Sequence, residues 1–167
     1  PTEEEERRMY EETESFLRQQ GYHRYEISNY AKPGCECVHN TGYWQRTDYA
    51  GFGTGAASLV NNVRWKNTEN LQKYMNISEP VRQELQSLSR TEQMEEFMFL
   101  GLRLTAGIAV ADFRRQFQTG IEEIYGTVLK RLEQDGLLLF YEDGKRLRLT
   151  PRGVDVSNYV LAQFLLD

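Results

Sequence analysis

The feature that most restricts this chain is the way its apolar spacing changes between Ser89 and Leu165. Ser89-x-x-Glu92 is a capping box, in which a hydroxyl and a carboxyl satisfy the first free backbone N–H groups of a helix. Met94, Phe97, Met98, Gly101 and Leu102 then fall on one helical face. Phe113 and Phe117 mark a second short helix, and Ile121, Ile124, Tyr125, Val128, Leu129 and Leu132 a third, stopped by Gly136. After it, Leu137 to Tyr141 and Arg146 to Thr150 read as strands joined through Asp143-Gly144, a strong hairpin signal. Thr150-Pro151 starts a last helix as cap and first residue, with Val154, Val156, Val160, Leu161, Phe164 and Leu165 expected on its buried side. Three helices, a hairpin and a helix is a winged-helix-like order.

The first half follows a different logic. Thr2-x-x-Glu5 is a second capping box, and Glu3 to Glu6 stand where the helix dipole favours negative charge. Met9, Tyr10, Thr13, Phe16 and Leu17 predict an amphipathic helix over residues 3–20, stopped by Gly21. A strand of about six residues is expected between Tyr22 and Tyr30. A helix leading into a strand is half of an α/β repeat and cannot bury both sheet faces alone, so exposed apolar surface is expected here. Ala56–Val60 and Val63–Trp65 flank Asn61-Asn62, a turn pair that tolerates positive φ. Thr68 is placed to cap a short helix ending at Met75. Ser78-Glu79-Pro80 is a break, giving two domains, 1–80 and 81–167, with a connector to Leu88 that contains one edge strand. The chain lacks an initiator Met and opens on a helix cap, as a piece of something longer would.

Composition narrows the function classes. Among 167 residues, 27% are charged and 40% hydrophobic, with a net charge of −5. Phosphate neutralisation needs clustered Lys and Arg, and the third helix carries Glu122, Glu123, Glu133 and Asp135 against Lys130 and Arg131, which argues against nucleic acid. No apolar run reaches the length of a membrane span and no signal-peptide pattern opens the chain, so the expected location is cytoplasmic. Two cysteines, Cys35 and Cys37, make no disulfide framework and stand too close to bridge each other, which fits a reducing compartment.

The reactive residues gather in Tyr25 to Ser58. A neutral imidazole at His39 can ligate haem iron or another metal, with Tyr43 and Trp44 stacking on a flat macrocycle. Alternatively, His39 and Asn40 anchor a loop while Tyr43 and Trp44 pack as core. Cys35, Cys37 and His39 alternate, so an extended segment would present three metal ligands on one face; Pro33-Gly34 works against extension, and ordinary reduced thiols are the competing reading. Gly51, Gly53 and Gly55 are read as tight backbone packing or a bulge before a ligand cradle, since no strand-turn-helix context supports a phosphate loop. No Ser sits in a glycine elbow, and His23 is expected to be packing or surface.

The blocks Tyr25-Glu26-Ile27-Ser28-Asn29-Tyr30-Ala31-Lys32-Pro33-Gly34, Cys37, His39-Asn40-x-x-Tyr43-Trp44 and Asp48-Tyr49-x-Gly51-x-Gly53 together resemble the radical-SAM family of oxygen-independent coproporphyrinogen III oxidases. The likeness extends through Glu96-Phe97-Met98-x-Leu100-Gly101-Leu102-Arg103-Leu104-Thr105 and Leu147-Arg148-Leu149-Thr150-Pro151-Arg152-Gly153, and is greatest to the haem-chaperone branch. It implies an α+β chain: the last β/α unit of a partial radical-SAM (β/α) barrel, then a winged-helix-like C-terminal domain acting as a lid or docking module. It implies a missing N-terminal barrel as partner, carrying the Cys-x-x-x-Cys-x-x-Cys motif for a [4Fe-4S] cluster and S-adenosylmethionine; those cluster ligands are absent here. It further implies haem or porphyrin at His39, Asn40, Tyr43 and Trp44, with His39 on the metal, a backbone contact to S-adenosylmethionine at Ala31, and a haem-acceptor protein. The alternative is part of an oxidase that decarboxylates propionate side chains oxidatively with S-adenosylmethionine, inactive as this piece alone. A third reading is that this piece only packs. Many relatives carry His after the glycines, where this chain has Ala57, which leaves His39 more alone.

Overall fold

The computed structural model describes residues 1–76 and 81–166. Helix α1 (Glu3–Gln19) opens on the expected capping box: the Glu5 N–H donates to Thr2 Oγ1 at 3.3 Å and the Thr2 N–H to Glu5 Oε2 at 2.8 Å. Gly21, at φ +81°, turns the chain out of it. Met9, Tyr10 and Phe16 remain 58, 60 and 61% exposed, so the apolar stripe of α1 is largely uncovered among the described residues.

The strand expected between Tyr22 and Tyr30 is instead two short ones, β1 (His23–Arg24) and β2 (Tyr30–Ala31), paired antiparallel. Glu26 is the reason. Its Oε1 accepts the Ser28 N–H at 2.9 Å and the Asn29 side-chain amide, and the Tyr25 N–H donates to Asn29 O at 3.1 Å, which folds the segment back on itself. After α2 (Val38–Trp44), strands β3 (Ala57–Val60) and β4 (Val63–Asn67) form the expected hairpin, with Asn61 and Asn62 both at positive φ, 51° and 60°. Helix α3 (Leu71–Met75) is capped by Asn70, whose Oδ1 accepts from the Lys73 N–H at 3.0 Å; Thr68 Oγ1 accepts from the Asn70 N–H one turn earlier. Ser78-Glu79-Pro80 lies outside the described residues. Strand β5 (Arg82–Ser87) joins the edge of β4, giving a three-stranded sheet in the order β3-β4-β5.

The second half runs α4 (Arg90–Gly101), β6 (Ile108–Ala109), α5 (Val110–Phe117), α6 (Ile121–Gln134), β7 (Leu138–Tyr141) and β8 (Arg146–Leu149), with antiparallel sheet order β6-β8-β7. That is the winged-helix topology; the short β6, invisible to periodicity, completes its sheet. Phe113, Phe117, Tyr125 and Phe164 stack edge-on or tilted at its centre, with Phe113 and Phe117 at 4.8 Å and Tyr125 and Phe164 at 5.4 Å. Desolvation pushes the buried Tyr125 phenol above its ordinary range, with Glu95 adding to it. The expected last helix is two, α7 (Pro151–Asp155) and α8 (Ser157–Ala162), broken at Val156 (φ −113°, ψ 31°). The break corrects the expected face: Val160, Leu161 and Phe164 are buried, but Val156 and Leu165 are 42 and 57% exposed.

Gly153 shows why α7 lies where it does. A Cβ there would stand 2.0 Å from the Leu137 carbonyl oxygen. Ala is a better helix former than Gly by about 1 kcal/mol. Packing nevertheless wins, and Gly153→Ala is expected to cost about 1–3 kcal/mol in chemical denaturation, because α7 must move off the strand region. A stabilising substitution would show that α7 yields freely.

Part of the seam between the halves runs through one short segment. Ile27 N–H donates to Arg103 O at 3.0 Å, Thr105 N–H to Tyr25 O at 3.1 Å and Thr105 Oγ1 to Arg24 O at 3.0 Å. No helix among the described residues is long and apolar enough to cross a membrane.

Candidate functional site

The segment carrying His39, read from the sequence as an anchored loop or an extended stretch, is a seven-residue helix, α2. Cys37 is its N-cap without a side-chain bond, and Gly42 sits within it, so local propensity does little for it. Tertiary contacts hold it. Its i, i+4 pairs face two ways.

One pair is Asn40 and Trp44, and it is anchored. Asn40 Nδ2 donates to Tyr25 Oη at 3.2 Å. The Arg103 guanidinium lies 4.3 Å from the Trp44 ring centre. Arg103 also reaches the fully buried Glu26, Nη2 to Oε2 at 3.6 Å, an ion pair too long to be a hydrogen bond. Glu26 Oε2, Arg103 Nε and Trp44 Nε1 are accordingly buried without a hydrogen-bond partner.

The other pair is His39 and Tyr43, of which His39 is exposed and Tyr43 half-buried. Their rings meet edge-on at 4.5 Å, and Tyr43 meets Tyr49 at 4.6 Å. His39 is exposed, and among the described residues its ring nitrogens take part in no hydrogen bond. An accessible imidazole with free nitrogens beside an aromatic ring fits the donor chemistry of haem ligation. Tyr49 continues the ladder into the sheet, exchanging backbone hydrogen bonds with Leu59 at 2.8 and 2.9 Å. Desolvation raises its phenol above the ordinary range, opposed by Arg64 and reinforced by Tyr43 and Glu96.

A clamp closes the far end of α2. Arg46, held at φ 55°, donates from Nε to Glu96 Oε2 at 2.9 Å and from Nη2 to Asn62 Oδ1 at 3.0 Å. Arg64 Nη2 donates to Glu96 Oε1 at 2.8 Å. The side chains of Arg46 and Glu96 are only 4 and 7% exposed. The sequence reading assigned no role to Glu26, Arg46, Glu96 or Arg103. For Glu26 and Arg103 the available signal was position, single charges between apolar neighbours as in Leu102-Arg103-Leu104; Arg46, in Gln45-Arg46-Thr47-Asp48, and Glu96, beside Glu95, carry no such mark.

The remaining candidates separate. Cys35 and Cys37 are free and exposed, with Cys35 in a turn closed on Lys32 O at 2.9 Å. Cys37 precedes a helix, so the alternation of Cys35, Cys37 and His39 is broken, and the described residues hold no group of three His, Cys, Asp or Glu placed for a metal ion. This does not fit a three-cysteine cluster site. Between these cysteines, Glu36 Oε1 lies 2.9 Å from His23 Nε2. The carboxyl of Glu36 is held below its ordinary range, first by its own backbone N–H and, among the lesser causes, by that of Gly34. Ala31 is buried at the end of β2. The glycine run is backbone packing: Asn67 Nδ2 donates to Gly51 O at 3.1 Å and Gly53 O at 3.0 Å, and a Cβ on Gly51 would meet Ala57 O at 2.2 Å.

A winged helix joined to a short α/β remnant by a helix of the form His-Asn-x-x-Tyr-Trp defines a class. Residues 88–156 match the HemN C-terminal domain. Over that stretch the chain belongs to the HemN C-terminal domain family, and across its whole length its sequence relatives are of the HemW kind. It is 36% identical over 169 residues to the heme chaperone HemW of Lactococcus lactis, and 37% identical over 169 residues to that of Bacillus subtilis. These alignments take in 100 and 99% of this chain but 44% of each relative, so the chain spans under half the length of the curated relatives it matches. In fold it matches the coproporphyrinogen III oxidase HemN of Escherichia coli, described as a radical SAM enzyme, with a TM-score of 0.76 at 18% identity, over 99% of this chain and 42% of that one.

Proposed function

We propose that this chain is the haem-handling part of a radical-SAM coproporphyrinogen-oxidase-like protein of the chaperone type, with His39 as the residue that would ligate the iron. The observation that carries the reading is that α2 is anchored through Asn40 and Trp44 while His39 on the same helix stays accessible. Tyr43 would flank the macrocycle, while Asn40 and Trp44 serve by holding α2. The names of the HemW relatives support haem as the ligand. The [4Fe-4S] cluster and S-adenosylmethionine are assigned to a further N-terminal barrel, because the cluster motif takes three cysteines and this chain has two. The exposed Met9, Tyr10 and Phe16 of α1 support that barrel as the partner covering this face, and Ala31 is then the backbone contact to S-adenosylmethionine. A haem-acceptor protein completes the scheme.

Titration with hemin tests the reading. A saturable shift of the Soret band is expected in the parent and its loss in His39→Ala, with an unchanged far-ultraviolet circular dichroism spectrum showing that the variant is folded. The same band in both proteins would make His39 a surface residue of α2 and sink the assignment.

A further inference from the structure

A cleft of about 370 Å³ opens where α1, β1 and β2 meet the wing of the C-terminal domain. It is apart from His39 on α2, and nothing in the haem reading uses it. Its floor is apolar, formed by Leu102, Leu104, Leu139, Leu149 and Val154. Arg18, Arg24, Arg103 and Arg148 line it, against only two carboxylates, Glu14 and Asp155. Those two are already engaged. Glu14 takes Arg18 at 3.0 Å and Arg24 at 3.6 Å, and Asp155 takes Arg7 at 3.3 Å.

Arg148 differs from the rest. Its guanidinium rests 4.7 Å from the Tyr141 ring centre and has no carboxylate partner among the described residues. An excess of guanidinium over carboxylate in a chain of net charge −5 is a local reversal of sign, and it sits above apolar side chains. Small-molecule sites commonly begin at about 300 Å³, favour the seams between domains, and pair apolar walls with a few polar groups. Guanidinium is the side chain suited to carboxylates because its N–H fork matches two oxygens.

We infer that this cleft is a second binding site, taking an amphiphilic carboxylate whose apolar body lies on Leu139, Leu149 and Val154 and whose carboxylate meets Arg148. A tetrapyrrole propionate edge and a fatty acyl chain share that chemistry. Arg103 lines the cleft and also stacks on Trp44, so occupancy is read on α2 through one side chain.

The purified protein is titrated with metal-free mesoporphyrin, followed by its fluorescence, and with decanoate, followed by calorimetry. The porphyrin has no iron, so His39 cannot hold it by ligation, and the parent and His39→Ala are expected to bind alike. Arg148→Gln is expected to weaken binding on the order of tenfold, as loss of one charge-assisted hydrogen bond does. The dimethyl ester of mesoporphyrin is expected to bind no better than that variant binds the diacid. Tighter binding of the porphyrin assigns the site to a tetrapyrrole, and tighter binding of decanoate to an acyl chain. Absence of saturable binding by both, equal affinity in Arg148→Gln, or an ester that binds as well as the acid overturns the inference. The hemin Soret shift is expected to persist in Arg148→Gln, so failure here and failure of the His39 assignment are told apart.

Discussion

Glu96→Leu is expected to lower the unfolding free energy by about 3–5 kcal/mol, the cost of stripping one partner from a buried ion pair. Glu96 receives Arg46 at 2.9 Å and Arg64 at 2.8 Å. Arg64 is partly exposed and can turn to water, whereas the Arg46 side chain is only 4% exposed and would keep its charge in a poorly solvated site. The damage therefore comes from the partner left behind more than from the bond lost. The double variant Arg46→Leu with Glu96→Leu removes that stranded charge and is expected to recover much of the loss, giving a coupling energy on the order of 2 kcal/mol. Urea denaturation of the four proteins in the cycle measures it. A single-variant cost below about 1 kcal/mol would mean that water reaches Arg46 and that the clamp contributes as little as a surface pair.

What the sequence made legible was whatever short-range chemistry decides. The capping boxes at Thr2 and Ser89, the Asn61-Asn62 hairpin and the run of helices before the wing all formed as their residues required. Each is settled by side chains within a turn of one another. Helix α2 was not legible because Gly42 and a cap without a side-chain bond give it poor local support, and its anchors lie far off in sequence at Tyr25 and Arg103. The fold-back at Glu26 looked like a strand because apolar and aromatic residues surround it. A buried carboxylate that recruits Ser28 and Asn29 leaves no periodic trace. The break at Val156 was hidden for a related reason: its apolar neighbours suggest one continuous stripe, while the real core accepts Val160 and Phe164 and leaves Val156 outside. In the candidate site, the motif from His39 to Trp44 could be read, but the division between the exposed His39 and the anchored Asn40 and Trp44 depends on Arg103, which belongs to the other half of the chain.

That dependence makes Arg103 the position where stability and the proposed function are most directly joined. Arg103→Leu is expected to cost about 3 kcal/mol, since the fully buried Glu26 would keep only the Ser28 N–H and the Asn29 amide as compensation for its charge. Arg103→Lys keeps the charge but not the flat guanidinium on Trp44, and about 1 kcal/mol is expected from the lost stacking. Adding Glu26→Gln to Arg103→Leu removes the stranded carboxylate and is expected to restore part of the stability without restoring the stack. The two effects are separable by fluorescence. Trp65 is the second tryptophan, packed under Arg82 at 4.3 Å, so a Trp65→Phe background isolates Trp44. In that background Trp44 emission is expected to shift to the red in both Leu proteins, because the indole gains water when its cover is lost. The hemin-induced Soret shift should weaken in the same order as the emission moves, since His39 presents its imidazole from a helix that Trp44 holds down. If emission moves and haem uptake does not, the Asn40–Tyr25 bond suffices to hold α2, and the Arg103 stack shields Trp44 without positioning His39.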